Sequence, residues 1–252
     1  MHLSPEKIKN ILADPSAGFY LLDKAKGDHS FFYVSLLRRL LNLKKVGFAG
    51  TLDPLASGLL ILASGSATKL LDIFHEWPKK YLAEITFGKT SSTYDLEGEI
   101  EEQKEAQAFS LEILQKNLAK LTGDILQQAP IYSAKKVQGK KLNTLARLAA
   151  KQARNDKIIT PPSSRVIVYD YKILDFVYPK LQVEIKVSKG TYIRSLAHDL
   201  GQLLGTGALL SALRRLSIGN FSVTKALSKE QVSQDTLAKY KIEGSEIIKL
   251  LD

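Results

Sequence analysis

The amino-acid sequence predicts a mixed α/β fold. Short segments with the alternating apolar pattern of β-strands are interspersed with amphipathic helical segments, without the regular strand–helix–strand spacing of a doubly wound sheet. Of the 252 residues, 44% are hydrophobic and 25% are charged, which supports one large domain with a substantial core, with or without an appended lobe. No repeat or low-complexity linker interrupts the chain.

The first 45 residues predict a helix, a strand and a second helix. Residues 4–6, Ser-Pro-Glu, have the order of an N-cap, an N1 proline and a first-turn acid, so a helix is expected to about Ala13. The apolar run 18–23 predicts a strand that ends in a basic turn. Ser30 is expected to cap the second helix, which carries Phe31, Val34, Leu37, Leu40 and Leu41 as its apolar stripe and Arg38, Arg39, Lys44 and Lys45 at its far end.

The same two patterns continue to the C-terminus. Alternating apolar residues predict strands at 81–87, 165–177, 181–188 and 209–221. Apolar residues at helical spacing predict helices at 66–77, at 110–121, from 188–194 to about 204, and from 228 onward.

Several classes of site are excluded by composition and spacing. The chain has no cysteine, which rules out disulfides, zinc–thiolate sites and thiol nucleophiles. The four histidines lack metal-ligand spacing, and the glycines near Lys89 and Gly205 do not complete a phosphate-binding or dinucleotide-binding motif. Neither a signal peptide nor an apolar run of about 18 residues is present. We therefore expect a cytoplasmic protein without a metal, a nucleotide cofactor or a membrane partner.

The net charge favours a polyanionic partner, and nucleic acid is the commonest one. The formal charge is +10 and the pI is about 9.5. Between residues 135 and 157, eight cations are accompanied by one acid, Asp156. A solvated helix face normally mixes the two signs, so this segment is interpreted as a basic arm.

A single carboxylate, Asp53, lies in a glycine-rich stretch between Val46 and Leu62. Gly47, Gly50 and Gly58 surround it, Pro54 follows it, and no other charge occurs between Lys45 and Lys69. Glycine permits positive φ and close approach of a ligand to the backbone, whereas proline keeps the acid out of a regular helix. The pattern alone is compatible with a structural turn residue and with a reactive group on a rigid loop.

This stretch, residues 47–60, resembles the catalytic loop of pseudouridine synthases of the TruB type. Five further motifs occur in that family's order across about residues 18–221. They are Leu21–Gly27, Lys80-Tyr81 with Asp95-x-x-Gly98, Pro130–Lys135 with Gly139-Lys140, Ser188–Arg194 and Leu213–Leu216. An ordered set of motifs is far more specific than any one of them, so the resemblance favours a reactive Asp53 over a turn residue.

The resemblance implies the catalytic fold of that family, which has a central, mostly antiparallel sheet flanked by helices and a basic RNA-clasping insertion at about 129–158. It also implies an isomerase that converts one uridine of tRNA, by family custom uridine 55 of the T arm, to pseudouridine without a cofactor. Asp53 matches the catalytic aspartate, Arg194 the arginine that pairs with it, and Tyr81 the aromatic residue that packs on the uracil. The pocket candidates implied are Phe48, Gly50, Tyr192 and Leu213.

The implied partner is the T stem-loop of tRNA, bound by a monomer. A uridine must leave its stack to reach an acid in a pocket, and phosphate contacts supply affinity. The RNA-binding candidates by motif position are Lys24, Lys135, Lys140 and Arg214. Whether Asp53 first attacks the uracil ring, attacks the ribose or removes a ribose proton is left open.

The chain departs from the family pattern in three ways. Phe48 stands where the family usually has histidine, which keeps a stacking face but loses the ring-nitrogen hydrogen bonds. Ala25 stands where proline is usual. Only about thirty residues follow Phe221, too few for a typical RNA-binding domain, so we expect a catalytic domain over 1–221 and a short tail or helical lobe over 222–252.

Three alternatives remain at this level. The first is a pseudouridine synthase that acts on another RNA site. The second is an RNA-binding or tRNA-folding module with secondary catalysis. The third and weakest is a glycoside hydrolase, which would need a second positioned carboxylate that the matched motifs lack.

Overall fold

The structure is a computed structural model that describes residues 4–133, 135–137, 139–142, 144–145, 148, 161–242 and 246–247. Arg147, Lys151, Arg154 and Lys157 of the predicted basic arm lie outside the described residues. The chain forms two compact units, one of Met1–Tyr81 with Leu213–Asp252 and one of Leu82–Ala212. No helix within the described ranges is both long and apolar enough to cross a bilayer.

The helices and strands confirm the predicted mixed α/β class. The α-helices are α1 (Pro5–Leu12), α2 (Ser30–Leu41), α3 (Leu71–Glu76), α4 (Leu111–Lys120), α5 (Ile193–Leu204) and α6 (Gln234–Lys239). The strands are β1 (Gly18–Lys24), β2 (Val46–Ala49), β3 (Ala56–Ser64), β4 (Lys79–Phe87), β5 (Lys89–Ser91), β6 (Ile100–Glu102), β7 (Gly123–Gln128), β8 (Lys136–Val137), β9 (Lys140–Lys141), β10 (Ser163–Val177), β11 (Lys180–Val187), β12 (Ala208–Ile218), β13 (Phe221–Ser222) and β14 (Leu227–Ser228).

The first unit is built on β3, which is buried on both faces. β3 pairs antiparallel with β1 and β2 and parallel with β12, and β14 pairs parallel with β1 on the other side. Leu59 and Ile61 enter one apolar cluster with α1 and α3, whereas Leu60 and Leu62 enter a second cluster with α2. Alternate residues of a strand point to opposite faces, so a continuous apolar run is needed to fill both clusters.

The C-terminal residues complete the first unit. Leu22 of β1 pairs with Leu227 of β14, and Leu237 and Ile242 are buried in the two clusters. The long helix predicted from residue 228 is wrong, because a 3-10 turn at Lys229–Gln231 precedes the short helix α6. Two capping boxes, at Ser228 and Ser233, start each of these turns separately and so divide the segment.

The second unit contains the predicted hairpin of β10 and β11. Its strand order is β12-β4-β11-β10-β7, and β10 pairs antiparallel with both β11 and β7. Alternate residues of β11 from Leu181 to Val187 are buried, as their apolar pattern predicts. β5 and β6 form a separate two-stranded sheet, and β8 with β9 forms another at the start of the arm segment.

Two details of the first unit differ from the sequence prediction. Ser30 does not cap α2, since the N-cap position is occupied by His29. The segment predicted as one helix at 66–77 begins as a 3-10 helix, Gly65–Leu70, before α3. There the Thr68 hydroxyl donates to the Gly65 carbonyl, and such a local bond competes with regular helix. The Ser66 hydroxyl donates to the Ile11 carbonyl of α1.

Gly58 provides a stability test of the close packing between β3 and β12. It has φ +106°, and an added Cβ would overlap the backbone N and O of Arg215. We expect Gly58→Ala to lower the free energy of unfolding by at least about 3 kcal/mol, from backbone strain and steric overlap. Gly27→Ala is the matched control, since Gly27 has φ +90° but nothing within 4 Å of the added atom. Its cost is expected to be about 1–2 kcal/mol, and equal losses in urea denaturation would refute the packing argument.

Candidate active site

The loop that carries Asp53 is anchored on both sides of the acid. Before it, the Leu52 N–H donates to the Ser30 hydroxyl at 3.1 Å, and that hydroxyl donates to the Leu52 carbonyl at 3.0 Å. After it, the Pro54 carbonyl accepts from the Gly27 N–H at 2.8 Å. Asp53 itself is half-buried, and its carbonyl accepts from the Ala56 N–H. The side chain predicted to be a helix cap therefore holds the loop that carries Asp53.

Arg215 is buried beneath this loop and is a residue that the sequence analysis did not select. It is 1% exposed. Its Nε donates to the Leu59 carbonyl at 2.7 Å and its Nη2 to the Gly50 carbonyl at 2.9 Å. Burial lowers the pKa of this guanidinium, whereas a hydrogen bond with the Tyr81 side chain opposes that decrease. Arg215 thus joins β3, the Gly50 turn and Tyr81 within the first unit.

The neighbouring Arg214 is on the other side of β12 and is paired. Its Nη1 and Nη2 donate to the two carboxylate oxygens of Asp23, at 3.0 and 2.6 Å. Successive residues of a strand face opposite sides, so the two arginines enter different surroundings. The sequence alone does not say which of them is buried.

Lys24 does not fit the predicted rim of phosphate-binding residues. Its side chain is fully buried, and its Nζ donates to the carbonyls of Ala56 at 2.6 Å and Ala25 at 3.1 Å. A phosphate contact would require the ammonium to leave these acceptors. Lys24 instead stabilises the start of β3, directly after the Asp53 loop.

Three predicted pocket residues lie around the same loop. Gly50 has φ +69°, and its carbonyl is held by Arg215 as described. Leu213 is half-buried and pairs with Ala56 in the β12–β3 register. Phe48 is half-buried, pairs with Leu62 and packs on the apolar cluster shared with α2. The packing of Phe48 explains why an apolar ring is stable at this position.

Arg194 belongs to the second unit, at the start of α5. Its Nε lies 3.5 Å from a carboxylate oxygen of Asp95, and its Nη1 and Nη2 donate to the carbonyls of Thr93 and Tyr132, each at 3.1 Å. Asp95 is 1% exposed and also accepts from the Thr93 hydroxyl and the Glu97 N–H. The sequence analysis quoted Asp95 as a motif residue but missed it as a partner of Arg194. The predicted pairing of Arg194 with Asp53 stays a prediction.

The segment leading into the basic arm is fastened to the start of α5. The Gln127 amide accepts from the Tyr192 N–H at 2.8 Å and donates to the Tyr192 carbonyl at 3.1 Å. The Ser195 hydroxyl donates to the Gln128 carbonyl at 2.8 Å. These contacts place the predicted pocket residue Tyr192 beside the root of the arm.

The two arm lysines that were predicted to bind RNA differ in their surroundings. Lys135 donates to the Ser164 hydroxyl of β10, whereas Lys140 is exposed at the start of β9. Gly139, at φ +80°, supports the turn before β9. Lys140 is therefore the better placed of the two for a phosphate contact.

The Asp95 turn contacts α5 a second time, through Tyr94 and His198. Tyr94 has φ 63°, which is strained for a residue other than glycine, and its ring stacks on His198 with centroids 3.9 Å apart. His198 lies one helical turn after Arg194, so the two contacts are on one face of α5. Burial lowers the pKa of His198 and raises the pKa of the adjacent Asp199 to about 6.

Among the described residues, no group of three or more His, Cys, Asp or Glu side chains is arranged to hold a metal ion. In the first unit the candidate residues are the half-buried Asp53 carboxylate and the Tyr81 side chain beside the buried Arg215 guanidinium. In the second unit the candidate residue is Arg194, whose guanidinium is also buried.

Comparison with known proteins supports the resemblance seen in the motifs. Residues 38–193 match the TruB family pseudouridylate synthase (N terminal domain). The chain belongs to the TruB family. Residues 194–252 match the tRNA pseudouridylate synthase B C-terminal domain. The TruB assignment accounts for the order of the sequence motifs. All of these motifs except the first, Leu21–Gly27, lie within the two matched ranges.

Curated TruB relatives cover most of the chain. It is 39% identical over 225 residues to "tRNA pseudouridine synthase B" of Chlamydia muridarum, covering 89% of this chain and 90% of that one. It is 42% identical over 224 residues to the protein of the same name from Acaryochloris marina, covering 88% and 75%.

Solved structures share the TruB fold at lower identity. The chain in "Crystal Structure of a Cbf5-Nop10-Gar1 Complex" matches with a TM-score of 0.68 and 22% identity, over 99% of this chain and 66% of that one. A chain of an H/ACA RNP bound to a substrate RNA matches with a TM-score of 0.62 and 24% identity, over 90% and 55%. At this identity the likeness is one of fold.

The Ser30 hydroxyl allows a test of how the TruB catalytic loop is held. We expect Ser30→Ala to lower the turnover of the substrate about tenfold or more, because small misplacement of a catalytic group is costly. Ser66→Ala removes another hydroxyl-to-backbone contact of the same unit, the partly buried one to Ile11, and is the control. Single-turnover rates that fall equally in both variants would indicate general loosening instead of loss of loop anchoring.

Asp199 gives a pH-dependent stability prediction for α5. Its folded pKa of about 6 lies above the ordinary value of 3.8, so the folded state is penalised once pH rises through that interval. We expect Asp199→Asn to raise the free energy of unfolding by about 1–2 kcal/mol at pH 8 and to have little effect near pH 4. The value at pH 8 is smaller than the full pKa shift implies because the carboxyl is partly exposed to solvent. Urea denaturation at the two pH values tests this. A gain of equal size at both would contradict the assigned cause.

Proposed function

We propose that this TruB-family chain isomerises a uridine of tRNA to pseudouridine and that its target is uridine 55 of the T arm. The observation that carries the proposal is the geometry at Asp53, where a half-buried carboxylate sits in a loop anchored on both sides. The family match and the tRNA pseudouridine synthase relatives support the same reaction.

The reaction suits the residue types of the site. Isomerisation breaks the bond between C1′ of the ribose and N1 of uracil and forms a bond from C1′ to C5, with one proton moved from C5 to N1. The atoms and electrons balance within the substrate. A nucleophile or base held against the nucleotide is sufficient, and Asp53 is that group.

Tyr81 and Arg194 are proposed to act on the same nucleotide. The Tyr81 side chain is held by its hydrogen bond with buried Arg215, so the ring has a fixed position from which to pack on the uracil. Arg194 is held by two backbone carbonyls and Asp95, which orients its fork for the proposed pairing with Asp53. Tyr192 and Leu213 are proposed to line the pocket.

The tRNA is proposed to be bound chiefly through phosphates. Lys140 and the arm segment that follows it supply positive charge, and Lys135 lies at the root of this arm. Arg214 contributes less to such binding, since Asp23 already neutralises it. All the proposed groups come from one chain, which supports a monomer, and tRNA as the substrate supports a cytoplasmic enzyme. The division into a catalytic domain of 1–221 and a short tail remains part of this proposal.

The test is Asp53→Asn, with Asp72→Asn as the control for loss of an exposed carboxylate in the same unit. We expect Asp53→Asn to lower pseudouridine formation at least about 100-fold while tRNA affinity changes by less than about threefold, because no phosphate contact is removed. Product is mapped at single-nucleotide resolution on a tRNA transcript.

Two results would contradict the proposal. Conversion of uridine by Asp53→Asn at the wild-type rate would show that Asp53 is not the reactive group. A pseudouridine signal outside the T loop would refute the substrate position while keeping the chemistry.

A further inference from the structure

Two phenylalanines at the start of α2 are exposed, although helical spacing placed Phe31 in the apolar stripe. Phe31 is 57% exposed and Phe32 is 47% exposed. The buried face of α2 is formed instead by Tyr33, Val34 and Leu37. Single exposed apolar residues are ordinary, but two adjacent aromatic rings on one helix form a patch that calls for a partner.

Cations accompany these rings along the helix. The guanidinium of Arg38 lies 5.5 Å from the centroid of the Phe31 ring. Arg39, Lys44 and Lys45 follow it and are exposed. Residues that are seven apart lie on the same side of a helix, two turns from each other. Arg38 therefore lies on the same side of α2 as Phe31, and Arg39 on the same side as Phe32.

The surroundings of this patch in sequence carry no opposing charge. Between Asp28 and Asp53 the chain has four Lys and Arg residues and no acid. Asp28 is itself paired with Lys229 at 3.2 Å and bonded to the Tyr33 hydroxyl. The charged residues that α2 and its flanking loops contribute over this stretch are therefore all cations, which favours an anionic partner.

The patch is connected directly to the catalytic loop. Phe31 follows Ser30, whose hydroxyl makes two hydrogen bonds with Leu52, the residue before Asp53. A nucleotide held at the start of α2 would thus lie close to a substrate at Asp53. Exposed aromatic rings with adjacent cations are the chemistry by which proteins stack unpaired bases and contact their phosphates.

We propose that the α2 face, defined as Phe31, Phe32, Arg38, Arg39, Lys44 and Lys45, is a binding surface for unpaired nucleotides of the substrate RNA. The bases stack on the two phenylalanine rings, and the cations contact the phosphates. This inference rests on the proposed function, in that it assigns an additional RNA contact to the same enzyme. Aromatic rings with uncompensated cations fit an RNA strand better than an apolar protein surface, since the latter would leave the cations unpaired.

The first experiment replaces both rings. We expect the double variant Phe31→Ser/Phe32→Ser to weaken binding of a T stem-loop RNA about tenfold or more, with an unchanged melting temperature because both rings are exposed. Phe31→Trp/Phe32→Trp is expected to retain the affinity, whereas Phe31→Leu/Phe32→Leu loses it, because leucine keeps apolar area but has no π face. Tyr169→Ser is the matched control, since Tyr169 is 48% exposed with Lys186 5.9 Å from its ring but has Asp170 beside it.

The second experiment removes two cations, as Arg39→Gln/Lys44→Gln. The logarithm of the affinity decreases as the logarithm of the salt concentration rises, and we expect the double variant to make this slope shallower by about 1.4. Each phosphate of a single strand that is no longer neutralised accounts for about 0.7 of that change. Lys172→Gln/Lys186→Gln, on β10 and β11, is the control and is expected to leave the slope unchanged. An unchanged slope in Arg39→Gln/Lys44→Gln would overturn the proposal.

The outcomes separate this inference from the proposed function. Wild-type enzyme that forms pseudouridine, together with serine variants that bind RNA normally, would overturn the α2 face alone. Wild-type enzyme that forms no pseudouridine would overturn the proposed function, while ring-dependent RNA binding would still support the surface. Sedimentation that shows a wild-type dimer abolished by the serine substitutions, with RNA affinity unchanged, would assign the face to a second copy of the chain and overturn the RNA proposal.

Discussion

The guanidinium of Arg215 carries a positive charge inside the first unit, and the loop that presents Asp53 is built against it. Such a group is tolerated only where its N–H donors are satisfied. The carbonyls of Gly50 and Leu59 supply acceptors from two sides of the loop, and Tyr81 supplies a third contact. Gly58 lets the backbones of β3 and β12 approach closely enough for this arrangement. Arg215 therefore holds the Gly50 turn, β3 and Tyr81 together.

The second unit also contains a buried guanidinium that binds backbone carbonyls of two segments. Arg194 is also buried: its Nη1 and Nη2 donate to the backbone carbonyls of Thr93 and Tyr132, and its Nε forms an ion pair with the carboxylate of Asp95. A planar guanidinium with several donors is suited to bind acceptors from different segments at once. Because Tyr132 lies at the root of the basic arm, the residue proposed to act at the substrate also connects to the segment proposed to bind RNA. Under that proposal, α5 would link the catalytic residue to the RNA-binding segment.

Much of the fold was predictable from periodicity and end signals. The strand at 18–23, the helix capped by Ser110 and the hairpin of β10 and β11 all follow from local patterns that their surroundings reinforce. Predictions failed in two situations: where a side chain makes a contact distant in sequence, and where local caps interrupt a periodic segment. Ser30 matches the preference for an N-cap but bonds to Leu52, and the two capping boxes of the tail divide what spacing suggested was one helix.

By itself the sequence determined the class of fold, the isolation of Asp53 in a glycine-rich loop and the concentration of positive charge. These depend on local spacing and composition. Tertiary structure decided which of Arg214 and Arg215 is buried, that Asp95 is a partner of Arg194, and that Phe31 faces solvent. Periodicity places residues on the faces of one element, but which face is covered depends on elements that arrive from elsewhere in the chain. The isolation of Asp53 was therefore visible in the residues of its own loop, whereas the buried arginine that holds the loop in place was not.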